Sequence, residues 1–158
     1  MKRLHLHVAV EDLDTSIGFY ARLFGARPGV VKPDYAKWML DDPRVNFAIS
    51  TRAASAGLDH VGIQTDSRAE LDEIAARLRD AEDAVFRQED AACCYAKSDK
   101  AWARDPSGLS WETFFTHGEH TVYGEDSAPQ AAEPKTAACC APAASPARTD
   151  SPAKAACC

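Results

Sequence analysis

Hydrophobic and polar positions follow the same order twice along the first 118 residues. The first copy opens with an alternating segment, residues 4–10, which is typical of a strand. A helical pattern begins after Asp14 and ends at Gly25, with apolar positions at i, i+3, i+4 and i+7. Three further segments typical of strands follow, at residues 26–31, 35–40 and 45–50. The pattern therefore predicts a β-α-β-β-β module over about residues 1–55.

The second copy begins at Gly57 and repeats this order. Residues 58–65 predict a strand, and Ser67 with Glu70 forms an S-x-x-E capping box before a helix that has the same four apolar spacings. Three predicted strands follow, at residues 84–89, 94–98 and 109–115. A duplicated unit of this kind pairs with its copy to enclose one cleft. We therefore predict an α+β fold whose second module covers about residues 56–118.

The end of the chain has a different composition. Residues 127–158 contain no Leu, Ile, Val, Met, Phe, Tyr or Trp, and they hold five of the nine prolines. Such a segment buries too little apolar surface to offset the conformational entropy lost on ordering. We predict a folded domain over residues 1–120 and a disordered tail over residues 121–158.

Charge and hydropathy exclude two classes of partner. The formal net charge is −6, and no basic block offsets it, so we do not expect nucleic-acid binding. The N-terminus lacks the apolar region of a signal peptide, and no apolar run approaches the ~20 residues that span a membrane. We expect a cytoplasmic protein with reduced thiols.

All six cysteines occur as adjacent pairs: Cys93 with Cys94, Cys139 with Cys140, and Cys157 with Cys158. Adjacent cysteines rarely bond to each other, because the ring they close strains the intervening peptide, so a disulfide framework is not expected. They suit a soft, thiophilic metal or metalloid instead. Neighbours on a regular strand point to opposite faces, so a two-sulfur site at Cys93 and Cys94 requires a turn or bulge.

Two histidines and one glutamate predict a metal site. His5 and His60 hold equivalent places on the first strand of each module, and Glu112 lies on the last predicted strand. The turn at residues 106–108 specifies the register, and hence the face, of that strand. Two imidazoles and one carboxylate leave open positions on a non-heme Fe(II), and they also suit Zn(II) with a bound water.

Other histidines receive different interpretations. His7 faces the same side of its strand as His5, and we interpret it as a residue that supports the site rather than a ligand. His117 and His120 are expected at the surface. Apolar residues occupy the part of the first module where a fourth ligand would lie, namely Val45, Phe47 and Ile49. We expect the site to remain three-coordinate and open.

Three motifs in this order resemble the vicinal oxygen chelate superfamily, which includes glyoxalase I and the extradiol dioxygenases. They are His5-x-x-x-x-Val10-x-Asp12-Leu13, Leu58-Asp59-His60-Val61 and Asp105-Pro106-x-Gly108-x-x-x-Glu112. The resemblance covers about residues 1–118. It implies βαβββ modules that form an open, mixed-sheet barrel around a divalent metal, with His5, His60 and Glu112 as ligands.

Residues 90–102, which carry Cys93 and Cys94 ahead of the turn, more closely resemble the carbon–arsenic lyases and the cadmium-induced proteins. The lyase resemblance implies an Fe(II)-dependent dioxygenase that uses dioxygen to cleave the carbon–arsenic bond of trivalent organoarsenicals such as methylarsenite. It implies that Cys93 and Cys94 are the substrate-binding and catalytic thiols. Lys97 and Lys100 are nearby cations that favour thiolates. Pocket walls are expected from Trp38, Tyr95 and Trp102.

Two alternatives remain open at this point. The protein could sequester cadmium or arsenic without turnover, or it could be a glyoxalase-like metalloenzyme using Zn(II), Ni(II) or Mn(II). For the tail cysteine pairs, one hypothesis is capture of free arsenical or product and delivery to the domain, and the other is an incidental low-complexity extension. Because one chain supplies His5, His60 and Glu112, we favour a monomer, with a dimer as the alternative.

Overall fold

The computed structural model describes residues 1–80 and 84–124. The elements are β1 (Arg3–Ala9), α1 (Leu13–Phe24), β2 (Val30–Lys32), β3 (Tyr35–Asp41), β4 (Arg44–Ser50), β5 (Gly57–Gln64), α2 (Arg68–Asp80), β6 (Phe86–Cys93), β7 (Ala96–Arg104) and β8 (Ser110–Glu119). Most of the predicted tail, including its four cysteines, lies outside the described residues.

One eight-stranded mixed sheet carries both modules, in the order β2-β3-β4-β1-β5-β8-β7-β6. Within each module the first strand runs parallel to the last, β1 beside β4 and β5 beside β8. The two first strands, β1 and β5, join the modules as an antiparallel pair at the centre of the sheet. This arrangement confirms the predicted α+β fold of two βαβββ modules and places the first strands side by side.

The sheet curls enough for its two halves to meet across the concave face. Tyr95, which follows β6, donates a hydrogen bond from its hydroxyl to Asp34 beside β3 at 2.7 Å. The rings of Tyr35 and Tyr95 lie 6.0 Å apart. These contacts enclose a cleft between the modules, as the duplicated pattern predicts.

Helix ends follow local capping chemistry. Helix α1 begins two residues earlier than predicted, because the Asp12 carboxylate rather than that of Asp14 accepts a hydrogen bond from Thr15 N, at 2.7 Å. Gly25 ends the helix with φ +64°, as predicted. At α2, Ser67 Oγ accepts from Glu70 N at 3.3 Å, but the Glu70 carboxylate accepts from Asp66 N.

The β6–β7 hairpin corrects two predicted strands. Strand β6 continues to Cys93 rather than ending at residue 89, and β7 begins at Ala96 rather than at residue 94. Cys94 and Tyr95 form the two-residue turn between them, with φ +57° and +62°. Two successive positive φ values match the twist of strands joined by a tight hairpin. The usual sequence signal for such a turn is Asn-Gly, so sequence analysis did not predict a turn at Cys94 and Tyr95.

Trp38, which was predicted to be a pocket wall, lies in the core of the first module. Trp38 is 1% exposed and lies in the core of the first module with Phe47 and Ile49, beneath α1. Its Nε1 donates to the Ala26 carbonyl oxygen at 3.0 Å. Trp38 is therefore a core residue, and its prediction as a pocket wall was wrong. Neither described helix is long and apolar enough to cross a membrane.

Candidate metal centre and adjoining thiol pair

The three predicted metal ligands meet on the concave face of the sheet. His5 Nε2 lies 3.2 Å from His60 Nε2 and 3.6 Å from Glu112 Oε2, and His60 Nε2 lies 3.4 Å from the same oxygen. All three side chains are buried. The fold thus brings together residues that are separated by 55 and 52 positions in the chain.

Hydrogen bonds orient both imidazoles. His5 Nδ1 donates to the Asn46 carbonyl oxygen at 3.0 Å, and His60 Nδ1 donates to Asp59 Oδ2 at 2.7 Å. Each ring therefore turns its Nε2 atom toward the centre of the cluster. Such outer partners fix the tautomer and orientation of histidines that bind metals.

The charges of the cluster favour a cation at its centre. Burial lowers the pKa of His5 to about 4, so that ring is neutral near pH 7. Burial also opposes charge on His60, but hydrogen bonds to Asp59 and Glu112 raise its pKa to about 9. Burial would raise the pKa of Glu112, yet Lys100 and His60 hold it well below its usual range. Without a metal, a proton on His60 supplies the positive charge that these donors require.

The donor triangle has the size of a metal site. A point equidistant from the three donor atoms lies about 2.0 Å from each, and metal–nitrogen and metal–oxygen bonds in such sites are about 2.0–2.2 Å long. Two imidazoles and a carboxylate on one face leave the opposite face open to further ligands. The residues present therefore fit a divalent cation of the Fe(II) or Zn(II) class.

Strand register explains the position of Glu112. Glu112 on β8 pairs with Gly62 on β5, and a Cβ atom at Gly62 would lie 2.0 Å from the Glu112 carbonyl oxygen. The absent side chain therefore allows the close approach of the two strands. In the first module, Ala48 pairs with His7 in the corresponding way. Ala48 therefore occupies the position in the first module that Glu112 occupies in the second. Sequence analysis wrongly assigned that position to Val45, Phe47 and Ile49.

Lys100 belongs to the site through a contact with Glu112 that sequence analysis did not predict. Its Nζ lies 2.9 Å from Glu112 Oε1, and both side chains are about 5% exposed. Its positive charge also lowers the pKa of the Cys93 thiol. A buried lysine requires a partner of opposite charge, so Lys100 links the carboxylate of the metal cluster to the thiol pair. Lys100 and Trp102 lie two residues apart on β7, so their side chains face the same side of the sheet. That spacing was the signal by which the sequence could have placed Lys100 beside the site.

Replacing Lys100 with methionine is expected to destabilise the metal-free protein by about 3 kcal/mol, because Glu112 then loses its buried cationic partner. Added divalent metal supplies a new partner, so the rise in melting temperature on adding Co(II) should exceed that of the wild type. Thermal unfolding with and without Co(II) measures both effects. Lys97→Met, on the same strand but outside the cluster, is the control. Equal losses in the two variants would contradict this role for Lys100.

Cys93 and Cys94 present their sulfur atoms side by side. The two Sγ atoms are 2.8 Å apart, because Cys93 ends β6 and Cys94 enters the turn with positive φ. A side chain other than glycine in this backbone region costs about 1–3 kcal/mol, and such strain concentrates at functional sites. The turn therefore satisfies the geometric requirement for a two-sulfur site that a regular strand would not.

The surroundings of the two thiols shift their pKa values in opposite directions. The hydrogen bond from Cys94 and the charge of Lys100 lower the pKa of Cys93 against the effect of burial. The same hydrogen bond, together with burial, raises the pKa of Cys94 well above its usual range. Cys93 is therefore the thiol that ionises more readily, which favours its attack on a thiophilic atom, and Cys94 is the one that ionises less readily.

A cavity of about 490 Å³ joins the thiol pair to two of the three proposed metal ligands, His60 and Glu112. Its wall includes His60, Cys93, Cys94, Lys100, Trp102, Glu112 and Tyr123. His7 also lines the cavity, where its Nε2 lies 3.0 Å from Ser50 Oγ and its Nδ1 lies 3.4 Å from Asp59. That position agrees with its interpretation as a residue beside the ligands. Trp102 is a wall, as predicted.

The remaining predicted residues lie outside this cavity. His117 approaches Asp90 and Asp99 at 3.8 and 3.7 Å on the edge of the second module. The His120 imidazole lies 3.0 Å from the Val122 carbonyl oxygen through Nδ1, and the His120 backbone N–H donates to the Tyr95 carbonyl oxygen at 3.0 Å. Tyr95 lies in the turn with its hydroxyl on Asp34. Its place at the rim makes it a neighbour of the cavity rather than part of its wall.

Comparison with known proteins gives a consistent family assignment. A protein of Bacillus sp. (strain MD1) named "Trivalent organoarsenical cleaving enzyme" is 41% identical over 155 residues, which covers 92% of this chain and 94% of the relative. The "Cadmium-induced protein CadI" of Mycobacterium tuberculosis (strain ATCC 25618 / H37Rv) is 32% identical over 125 residues, 78% of this chain and 82% of the relative.

Structural comparison agrees at the level of the fold. An extradiol ring-cleaving dioxygenase from B. fuscum superposes with a TM-score of 0.57 at 18% identity, covering 74% of this chain and 33% of that one. The family model of the Glyoxalase/Bleomycin resistance protein/Dioxygenase superfamily matches residues 2–113, most of the part that folds into the two modules. The resemblance that the motifs indicated is thereby confirmed, and the chain belongs to the Glyoxalase/Bleomycin resistance protein/Dioxygenase superfamily.

Proposed function

We propose that this protein is an Fe(II)-dependent dioxygenase that cleaves the carbon–arsenic bond of trivalent organoarsenicals, methylarsenite among them. The observation that carries the proposal is a pair of adjacent sulfurs, 2.8 Å apart, in one cavity with His60 and Glu112 of the metal cluster. The 41%-identical relative named for organoarsenical cleavage supports the substrate class. Release of arsenite would make the reaction a detoxification.

Substrate binding follows from the protonation of the thiol pair. The Cys93 thiolate attacks trivalent arsenic and displaces one hydroxide, which takes up a proton to leave as water. Cys94 then replaces the second hydroxide and gives that group its own proton. Two arsenic–sulfur bonds form, two arsenic–oxygen bonds break, and arsenic remains trivalent.

The two-sulfur linkage positions the organic substituent for reaction. An arsenic atom held by both Cys93 and Cys94 has lost most of its freedom to rotate, so its remaining carbon substituent is held within the shared cavity. Trp102 packs against His60 with ring centroids 5.2 Å apart and forms an apolar wall there. Such positioning converts an encounter between substrate and metal centre into a reaction within one complex.

His5, His60 and Glu112 would hold the iron. Bound Fe(II) supplies the open coordination positions at which dioxygen is activated. Lys100 keeps Glu112 ionised and so preserves the anionic ligand. Asp59 and the Asn46 carbonyl keep the two imidazoles aimed at the same point. Burial of all three ligands limits competing access of bulk water.

The experiment that tests this function measures arsenite released from methylarsenite by iron-loaded protein, under air and under argon. We expect release under air, stoichiometric with dioxygen consumption, and none under argon. Release that continues at the same rate without oxygen, or no release from protein shown to contain Fe(II), would refute the proposal. Zn(II)-loaded protein serves as a control that fills the site without activating dioxygen.

The second candidate function is sequestration of cadmium or arsenic without turnover. The three adjacent cysteine pairs and the 32%-identical cadmium-induced relative favour it. It requires binding of several soft ions per chain, whereas the enzyme requires one functional pair. Replacing the four tail cysteines with serine should leave arsenite release intact in the first case and reduce binding capacity in the second.

A further inference from the structure

A second, smaller cavity adjoins the thiol pair, and we call it the small chamber. Its volume is about 40 Å³, against about 490 Å³ for the cavity described above. Its wall shares Cys93, Cys94, Lys100 and Glu112 with that larger cavity. A buried water needs roughly 10–15 Å³ of such volume, so the small chamber has room for a few water molecules. It therefore suits hydroxyl groups or water rather than a whole arsenical.

Lys37 on β3 lines the small chamber at a position that the repeat specifies. Lys37 pairs with Ala48 across β3 and β4, and Trp102 pairs with Glu112 across β7 and β8. Because Ala48 and Glu112 hold equivalent positions in the two modules, Lys37 is the counterpart of Trp102. The first module therefore places an ammonium group where the second module places an indole ring.

The Lys37 ammonium differs from that of Lys100 in its surroundings. Lys100 is paired with Glu112 at 2.9 Å, whereas Lys37 is half-buried and forms no salt bridge with any carboxylate of residues 1–80 and 84–124. Burial lowers the pKa of Lys37, against the opposing charges of Cys94 and Glu119. A lysine with a lowered pKa gives up its proton more readily than an ordinary lysine. Lys37 therefore supplies an acid to the chamber that Cys94 lines.

Asn46 contributes a hydrogen-bond acceptor to the same chamber. It lines the chamber and is 4% exposed. Its Nδ2 donates to Gln64 Oε1 at 3.0 Å, whereas its Oδ1 is buried without a hydrogen-bond partner among the described residues. A buried acceptor left unpaired costs about 1–3 kcal/mol, so a ligand with a hydrogen to donate is stabilised there. The chamber thus combines an ammonium donor with an unpaired amide oxygen.

A hydroxyl group or a water molecule satisfies both residues at once. Its oxygen accepts a hydrogen bond from the Lys37 ammonium, and its hydrogen is donated to Asn46 Oδ1. A carboxylate lacks the hydrogen that Asn46 requires, and an apolar group satisfies neither residue. A trivalent arsenical carries hydroxyl groups that must leave as arsenic binds to Cys93 and Cys94. Those hydroxyl groups match the small chamber both in size and in hydrogen bonding.

We propose that Lys37 is the proton donor for the first hydroxyl group that arsenic loses, and that Asn46 accepts a hydrogen bond from the departing water. This inference rests on the proposed function, because it takes Cys93 and Cys94 as the substrate site. It assigns the small chamber to the leaving groups and the larger cavity to the organic substituent.

The step is a substitution at arsenic that an acid assists. The Cys93 thiolate forms a bond to arsenic while one arsenic–oxygen bond breaks. The Lys37 ammonium gives a proton to the leaving oxygen, which departs as water, and the resulting amine recovers a proton from solvent. Arsenic stays trivalent, and no oxidant or reductant takes part. An acid is needed because water has a pKa of about 15.7, which makes hydroxide a poor leaving group.

The rate at which Cys93 and Cys94 bind methylarsenite under argon tests this proposal on the full chain. Methylarsenite is added to the wild type and to Lys37→Met, and free thiols are alkylated with N-ethylmaleimide after increasing delays. Trypsin places the turn pair on a peptide of residues 88–97, apart from the other cysteines, and mass spectrometry measures its protection. Lys2→Met is the control, because the Lys2 ammonium pairs with Glu70 at 3.1 Å and lines neither cavity.

We expect Lys37→Met to slow the binding of methylarsenite at least about 10-fold at pH 7, since general acid assistance contributes roughly 100- to 10,000-fold. Equilibrium affinity should not change, because an acid catalyst speeds binding and release equally. The variant should bind the bis(2-mercaptoethanol) complex of methylarsenite at the wild-type rate, because a thiolate leaves without an acid. Equal slowing with both arsenicals, or no slowing with methylarsenite, would overturn the inference. If the wild-type peptide is never protected, the proposed substrate site itself fails.

Two further variants separate proton donation from charge and from hydrogen bonding. Lys37→Arg keeps the positive charge but cannot give up a proton near pH 7, so it should bind methylarsenite as slowly as Lys37→Met. Asn46→Leu keeps the backbone carbonyl that orients His5 and removes the side-chain acceptor, so it should slow the same step several-fold. A wild-type rate in Lys37→Arg would show that charge alone suffices, and a wild-type rate in Asn46→Leu would show that no acceptor is needed. Either result would contradict the proposal.

Discussion

Cys93→Ser is expected to lower kcat/KM for methylarsenite by at least about 100-fold while leaving Fe(II) affinity unchanged. The variant keeps one sulfur, so arsenic retains a hydroxyl and rotates about a single arsenic–sulfur bond. It also loses the thiol whose pKa the Lys100 ammonium and Cys94 lower, and therefore the nucleophile of the first binding step. Arsenite release under air measures the loss, and anaerobic Fe(II) titration checks that the metal site is intact.

The matched control is Cys139→Ser, which removes one thiol from the tail and should leave kcat unchanged at saturating substrate. Cys94→Ser should resemble Cys93→Ser in turnover, because both sulfurs are needed for the two-bond linkage. Full activity in either turn variant would show that the arsenical reacts without two-sulfur binding. That result would contradict the central observation behind the proposed function.

Glu112→Gln is expected to weaken Fe(II) binding by more than about 100-fold and to abolish detectable turnover. Loss of a residue that merely hydrogen-bonds to a metal ligand costs roughly 10–100-fold in metal affinity. Glu112→Gln removes a ligand itself, and among the described residues Glu112 is the only anionic donor of the cluster that it forms with His5 and His60. Anaerobic titration with Fe(II) or Co(II) measures the affinity. Glu119→Gln, an exposed residue at the end of the same strand, is the control.

A second variant separates metal binding from folding. Glu112→Gln leaves the Lys100 ammonium buried without its carboxylate, which by itself destabilises the protein. The double variant Glu112→Gln/Lys100→Met removes both charges and should recover much of that stability without recovering metal affinity. Wild-type metal affinity in the double variant would show that Glu112 is not a ligand.

These two predictions concern opposite ends of one buried charge network. Lys100 stands between the carboxylate of the metal cluster and the Cys93 sulfur, so a change at either end alters the charge felt at the other. A divalent ion at the cluster would share Glu112 with Lys100. The network thus couples the ligand set to the chemistry of the thiol pair through one side chain.

Residue order was enough to predict the two modules and the residues able to bind a metal or a thiophilic atom. Repetition of the strand and helix periodicities predicted two βαβββ units, because side-chain periods follow directly from backbone geometry. The matched positions of His5 and His60 followed from the same repeat. The unusual adjacency of Cys93 and Cys94 was also visible without coordinates, since it depends on residue order alone.

How these groups meet depends on contacts between strands that are distant in the chain. The β1–β5 pairing brings His5 toward His60, and the missing side chain of Gly62 admits the β8 backbone that carries Glu112. The direction of Lys100 into the cluster depends on strand register across β7 and β8. Such contacts join residues far apart in the chain, so no local periodicity encodes them.

The turn at Cys94 and Tyr95 likewise depends on strand pairing rather than on local sequence. Local propensity favoured a strand near residue 94, yet Cys94 and Tyr95 adopt positive φ because β6 and β7 pair on either side of them. Residue order therefore determined which atoms bear the chemistry. The pairing of distant strands, whose hydrogen bonds outweigh the local backbone preference, decided that two sulfurs face one cavity.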